Sequence, residues 1–148
     1  MCENRIRKAV GAIVFKNDEY LLVYKSKVMD GINGVENIDG IWDFPKGGVN
    51  QSDINLEKSI LRELKEETGS EAYKIINTYS EKICFAFPTG SQYDTQETIM
   101  FYVEYLGDTM DLKPQDEEID KVGFFKKNEV MKVLLLEETR EFLKKVIW

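Results

Sequence analysis

At 148 residues, 43% apolar and 32% charged, the chain has the size and composition of one soluble globular domain with a real hydrophobic core. It contains no histidine and only two cysteines, which excludes Ser-His-Asp and Cys-His catalysis and imidazole zinc ligation, and argues against thiolate zinc sites and disulfide frameworks. A net charge of −7 argues against an extended nucleic-acid surface, which needs basic residues, but permits an anionic small substrate bridged by a cation.

The amino-terminal MCENRIRK is charged throughout and lacks the apolar segment of a secretory signal, and no stretch approaches the roughly 18 apolar residues of a membrane span. With Cys2 and Cys84 as the only thiols, a reducing, cytoplasmic setting without membrane attachment is expected. KAVGAIVF (8–15) has the β-branched character of a buried strand. KNDE (16–19) makes a turn, and YLLVYK (20–25) returns as a second strand, predicting a hairpin. SKVMDGINGVENIDG (26–40), rich in Gly, Asn and Asp, predicts a long irregular loop. IWDFPKGG (41–48) resumes an extended segment that ends in a glycine pair.

Helical signals begin at Asn55, a plausible N-cap for which Asp53 is the alternative, and stop at Gly69. Leu56, Ile60, Leu61 and Leu64 form its apolar arc. Two long strands are expected over AYKIINTYSEKICFAFP (72–88) and TIMFYVEYLG (98–107), separated by the polar loop TGSQYDTQ (89–96). KVGFFKK (121–127) is a further short strand, Asn128 caps a helix over EVMKVLLL, and EETREFLKKVIW is a last amphipathic helix. Strands interleaved with a few helices predict an α/β or α+β sandwich, a mixed sheet flanked by helices.

The unusual stretch is RELKEETG (62–69), in which Glu63, Glu66 and Glu67 crowd together. At about 100° per residue, Glu67 projects between Leu56 and Ile60, Glu63 lies beside them, and Glu66 follows. The side opposite is taken by Lys58, Arg62 and Lys65. The acids therefore overlap the edge of the apolar face and point toward the body of the protein. Like charges three and four residues apart cost about 0.2–0.5 kcal/mol per pair on an exposed helix, and more in lower dielectric. A divalent cation resolves the conflict, because its oxygen ligands are the acids themselves. Mg²⁺ suits such a set and shares its shell with substrate phosphates, and Mn²⁺ is a possible substitute. The alternative is a solvated acidic face in which Glu66 pairs with Arg62.

Residues 47–69, GGVNQSDINLEKSILRELKEETG, resemble the signature box of the Nudix hydrolase superfamily. Arg62, Glu63, Leu64, Glu66, Glu67 and Gly69 match that pattern in type and spacing. WDFPKGG before the box and DEEIDKVGFF after it extend the resemblance over nearly the whole chain. Two departures stand out. The pattern's early glutamate falls on Ile54, unless one extra residue after Val49 puts Asp53 there and makes Gly47 the leading glycine. Ser70 replaces a final bulky apolar residue, expected to be a minor packing change.

The resemblance implies a Nudix-type mixed sheet between helices, with a loop-helix-loop metal platform. It also implies Mg²⁺-dependent hydrolysis of a nucleoside diphosphate linked to another group. By that analogy Glu63, Glu66 and Glu67 ligate the metal, with Gly47 bringing backbone close to it, and Arg62 orients a glutamate. Gly47 and Gly48 are otherwise simply a tight turn. Lys46 is either a phosphate contact or a solvated lysine. The base is expected from DEEID (116–120), with Glu118 ahead of Glu117, or else it is Glu67. Phe44, Tyr93 and Phe87 either stack on a base or lie in the core, with the core preferred.

IWDFPKGGV resembles the lead-in of dinucleoside polyphosphate hydrolases and RNA 5′ pyrophosphohydrolases, so a dinucleotide or a 5′-triphosphate RNA end is the expected partner. The alternatives are pyrophosphatase action on small nucleotides, such as oxidised nucleoside triphosphates or nucleotide sugars, and a non-catalytic nucleotide-binding module. Loss of box glutamates would mark the last, and all three are present.

Overall fold

The computed structural model describes residues 5–30 and 34–146, with side chains described for 5–26 and 40–146. Strand β1 (Ile6–Lys16) runs antiparallel to β2 (Glu19–Asp30) across a two-residue turn, with Phe15 opposite Tyr20. Asn17 takes a φ of 56° in that turn, a left-handed value that asparagine tolerates better than most residues.

The loop expected over 26–40 is largely strand. β2 continues to Asp30, and β3 (Gly34–Asp43) pairs with it in antiparallel register from Asp30↔Gly34 to Val23↔Asp43. A shift in register between Lys25 and Lys27 absorbs the irregularity. Pairing satisfies the backbone groups of both segments, a gain that residue composition does not register. The turn itself, 31–33, lies outside the described residues.

β4 (Lys46–Gly48) pairs with β1, helix α1 spans Leu56–Thr68, β5 spans Tyr73–Ala86 and β6 spans Thr95–Tyr105. β7 (Ile119–Lys126) pairs with β2. Helices α2 (Lys127–Val133) and α3 (Glu137–Val146) close the described chain. α2 is capped at Lys126, two residues before the expected Asn128. The strands form one mixed sheet in the order β3-β2-β1-β6-β5, with β1 and β6 parallel.

Helices cover both faces of this sheet, which explains the near-continuous apolar run of β1. On one face Val10, Ala12 and Val14 pack with Ile60 and Leu64 of α1 and with Phe101 and Val103 of β6. On the other, Ile13 packs with Met100, Phe44, and Val130, Leu134, Phe142 and Leu143 from the α2–α3 layer. Leu56, assigned to the apolar arc, is 36% exposed at the rim, because it occupies the first turn of α1.

Candidate active site

The box helix starts and stops as its sequence predicts. The Asn55 side chain accepts a hydrogen bond from the Lys58 amide (2.8 Å), and Gly69 ends the helix at φ 86°, its amide donating to the Lys65 carbonyl. Asp53 is not the cap. It accepts from the Asn50 amide (2.9 Å), the Ser59 hydroxyl (2.8 Å), and Nε and Nη2 of Arg62 (3.1 and 3.0 Å). Ile54 is 86% exposed, and Asp53 is the acid ahead of the box helix that Arg62 engages. The Arg62 hydrogen bond, reinforced by the Asn50 amide and Ser59, keeps the Asp53 carboxyl far below the usual carboxylate range.

Arg62 does not occupy the solvent side where the helical wheel puts it. Its side chain is 25% exposed and bends back across the helix start. Nη2 donates to the Gly48 carbonyl (2.9 Å), and Nη1 donates to Glu63 Oε1 (2.8 Å), with Glu66 farther off at 3.5 Å. One planar fork thus ties the glycine loop, the early acid and a box glutamate together.

The three box glutamates sit in different surroundings. Glu63 and Glu67 are buried, and Glu66 has a side chain 47% exposed. Burial pushes the Glu63 carboxyl up despite the opposing pull of Arg62. Burial pushes Glu67 up to about 8, against the attraction of Lys25. Glu67 accepts from the Lys46 amide at 3.2 Å, and Lys25 Nζ lies 3.9 Å from it. For Lys25 itself burial lowers the pKa, but Glu67, Asp43, Glu118 and Asp116 together outweigh it and the net direction is up.

The loop before β7 is fastened to the end of α1. The amides of Gln115 and Asp116 both donate to the Glu66 carbonyl (2.9 Å each), and the Ser26 amide donates to the Glu118 carbonyl (3.2 Å). Asp116 accepts from the Glu118 amide through Oδ1 at 2.9 Å. Its charge raises the pKa of both Glu63 and Glu67, so it belongs to the acid cluster. Sequence reasoning passed over Asp116 for Glu117 and Glu118; the signal available was an aspartate placed to hydrogen-bond the backbone two residues on. Glu118 is half-buried and Glu117 exposed.

Ser70 does more than fill space. Buried at 1%, it donates to Asp111 Oδ2 (2.5 Å) and accepts from the Ala72 amide (3.0 Å), joining the end of α1 to the chain that leads to Asp116.

Phe44 and Lys46, for each of which ligand contact is one of two sequence readings, both point away from the box. Phe44 is fully buried in the core beneath α2 and α3, so its ring offers no face for stacking. Lys46 aims its ammonium away from the box, to Thr139 Oγ1 (2.6 Å) and Asp43 Oδ2 (3.2 Å). Lys46 lies opposite Gly11 in the β4–β1 register, which puts its side chain on the sheet face shared with Met100 and α3, while its amide stays in the plane of the sheet. Phe87 and Tyr93 are half-buried and lie near one another, with ring centroids 6.4 Å apart. An unforeseen neighbour is Arg7, whose Nη2 would lie 2.5 Å from a Cβ at Gly48 and whose Nη1 donates to Gln96 Oε1 (2.5 Å).

Gly47 is required by its contacts. A methyl group at this position would overlap the Glu63 carboxylate. Gly47→Ala is therefore expected to displace Glu63 from Arg62, lower the melting temperature and abolish most turnover. The added Glu63→Ala change restores stability without restoring turnover. Thermal unfolding and steady-state rates of the two variants check this.

The donor set suits a hard divalent cation: two buried carboxylates, one held by Arg62 and the other with Lys25 at 3.9 Å, a third at the rim, and backbone brought against them by a glycine. Among the described residues no three acidic side chains are gathered closely enough to hold a metal ion. Glu66, the exposed member, lies 3.5 Å from Arg62 Nη1.

A family model for the NUDIX domain matches residues 5–147. An RNA pyrophosphohydrolase from Campylobacter jejuni subsp. jejuni (strain 81-176) is 28% identical over 159 residues, spanning 95% of this chain and 98% of that protein. Another from a Nitratiruptor species is 34% identical over 88 residues, 60% of this chain and 53% of that protein. Two solved structures share the fold. A MutT protein from Methanosarcina mazei Go1 has a TM-score of 0.73 at 20% identity, covering 98% of this chain and 95% of that one. An Ap4A hydrolase binary complex from C. elegans has a TM-score of 0.69 at 18% identity, covering 94% and 93%.

Proposed function

Since the chain belongs to the NUDIX domain family and is a hydrolase of phosphorus-containing anhydrides, we propose that it is a Mg²⁺-dependent pyrophosphohydrolase of 5′-triphosphate RNA ends or dinucleoside polyphosphates. Nudix hydrolases generally use divalent metals. Residues 1–148 act as one domain in this reading. The observation that carries it is the buried pair Glu63 and Glu67 beneath the 46–48 backbone: Arg62 holds the first at 2.8 Å, and Lys25 stands off from the second at 3.9 Å, where burial pushes the carboxyl up to about 8.

Glu63, Glu66 and Glu67 would hold the cation, with Gly47 offering backbone to it. When bound, the cation neutralises phosphate charge and lowers the pKa of an attacking water. Arg62 keeps Glu63 in place through its 2.8 Å hydrogen bond. Glu118 takes the proton as water oxygen bonds to phosphorus and the bridging anhydride oxygen departs. Glu118 is preferred to Glu117 because its charge reaches Lys25 at the cluster, whereas Glu117 is exposed.

The RNA end is favoured over small nucleotides by the names of the relatives aligned along nearly their full length. The test is a panel of 5′-triphosphate RNA, dinucleoside polyphosphates, oxidised nucleoside triphosphates and nucleotide sugars with Mg²⁺, followed by release of phosphate, pyrophosphate and mononucleotides. Preference for the first two supports the proposal; equal or better turnover of the last two overturns the substrate assignment. Glu118→Gln is expected to lower kcat by about 10²-fold and to remove the base's ionisation from the pH–rate profile, with Glu117→Gln near wild type. The reverse order moves the base to Glu117.

A further inference from the structure

Lys46 has two ends that do different things. Its amide donates to Glu67 Oε1 at 3.2 Å, inside the acid cluster. Its ammonium lies on the opposite layer, 12% exposed, bonded to Asp43 Oδ2 (3.2 Å) and to the Thr139 hydroxyl of α3 (2.6 Å). Asp43 and Thr139 are both buried, and the other Asp43 oxygen accepts from the Phe44 amide at 2.8 Å.

The lysine stem runs over Gly11, its partner in the β4–β1 ladder, on the face that α3 covers. A Cβ at Gly11 would come 2.8 Å from Lys46 Cγ and 2.6 Å from Met100 Sδ, so a glycine there leaves the passage open. The segment between the two acids is held as well: the Ala12 amide donates to the Pro45 carbonyl (3.0 Å), and Lys46 pairs with Gly11 in the β4–β1 ladder.

A buried lysine–aspartate pair is a poor source of stability, because desolvation consumes much of the attraction. What it supplies is a fixed position. We infer that Lys46, Asp43 and Thr139 form a strut from α3 to the glycine loop that sets the Lys46–Gly47 backbone against Glu67 and Glu63. Lys46 is then a positioning residue, and α3 is part of the apparatus that shapes the cation site. This inference rests on the proposed function for its kinetic consequences and on the geometry alone for its structural ones.

Thr139→Val keeps the side-chain shape and removes the hydroxyl; Thr139→Ser keeps the hydroxyl. In Thr139→Val the Lys46 amide is expected to lose hydrogen-exchange protection in metal-free, substrate-free protein, and Thr139→Ser to retain it. Kinetically, Thr139→Val and Lys46→Met are expected to lower kcat by about tenfold or more, as small misplacements of catalytic groups do. KM should stay nearly unchanged, the Mg²⁺ concentration for half-activation should rise, and the double variant should be no worse than Lys46→Met alone.

A Lys46→Met variant that raises KM while Thr139→Val matches wild type would make Lys46 a substrate contact and overturn the strut. Unchanged exchange at the Lys46 amide in both Thr139→Val and Lys46→Met would overturn it independently of any substrate. Inactivity of wild type on the whole panel would instead count against the proposed function, with the exchange measurement still deciding the strut.

Discussion

Glu67→Gln is expected to lower turnover by roughly 10²–10⁴-fold, the range for loss of one positioned catalytic group, while leaving the metal-free protein folded and more stable than wild type above neutral pH. The two effects have one source. Glu67 is 2% exposed, with Lys25 at 3.9 Å and the Lys46 amide at 3.2 Å beside it, and burial holds its carboxyl up at about 8. An unfolded glutamate ionises near its ordinary value of 4.5. Between those two values the folded chain binds a proton that the unfolded chain has released, so metal-free stability falls as pH rises across that window. Glutamine removes the slope and, with it, one of the acids proposed to hold the cation. Under the proposed function Mg²⁺ is expected to oppose the same loss in wild type, because a ligand stabilises whichever state binds it. Its effect on the melting temperature should grow toward pH 8 in wild type and shrink or vanish in Glu67→Gln. Glu66→Gln should lose activity with little change in metal-free stability, since Glu66 is half exposed. Wild-type turnover in both variants would remove the acid cluster from the reaction.

The helix that carries these acids is legible in the sequence because its determinants are local. Asn55, Gly69 and the spacing of Ile60 and Leu64 specify where it begins, where it ends and which side packs. Likewise the acids' inward bias follows from helical spacing, and Glu63 and Glu67 are buried while Glu66 sits at the rim. What local pattern could not supply was long-range pairing. The stretch 26–40 reads as loop by composition, yet backbone partners across the β2–β3 ladder make most of it strand. Lys46 follows the same logic: only the β4–β1 register and the arrival of α3 turn its ammonium toward Thr139. Asp116 enters the cluster because its own amide and that of Gln115 donate to the Glu66 carbonyl, some fifty residues back along the chain. No periodicity connects those positions. For Phe44 the sequence leaves two roles open, and a layer of helix decides between them by covering the ring.

Arg62→Met is expected to lower the melting temperature by roughly 5 °C or more, an outcome that a helical wheel alone would not anticipate. Viewed on the wheel, Arg62 sits with Lys58 and Lys65, where truncation costs little. In the fold its guanidinium donates to Asp53 twice, to the Gly48 carbonyl and to Glu63, all at 2.8–3.1 Å. Removing it strands two carboxylates whose side chains are 8% and 9% exposed, and leaving a sheltered charge without its partner is the costly way to break an ion pair. Arg62→Lys keeps the charge but not the planar fork, so it can serve one acid at a time and should fall between wild type and Arg62→Met in both stability and rate. The pH dependence separates this account from simple loss of packing. Asp53 is held well below its ordinary pKa in the folded state, so its contribution is present above the unfolded value and disappears as pH falls through the folded one. The gap between wild type and Arg62→Met should therefore narrow on acidification, and adding Asp53→Asn to Arg62→Met should recover part of the lost stability at neutral pH. A gap that is constant with pH, with no recovery on adding Asp53→Asn, would mean that Arg62 acts through the packing of its stem, and the electrostatic bracing of Glu63 would have to be abandoned.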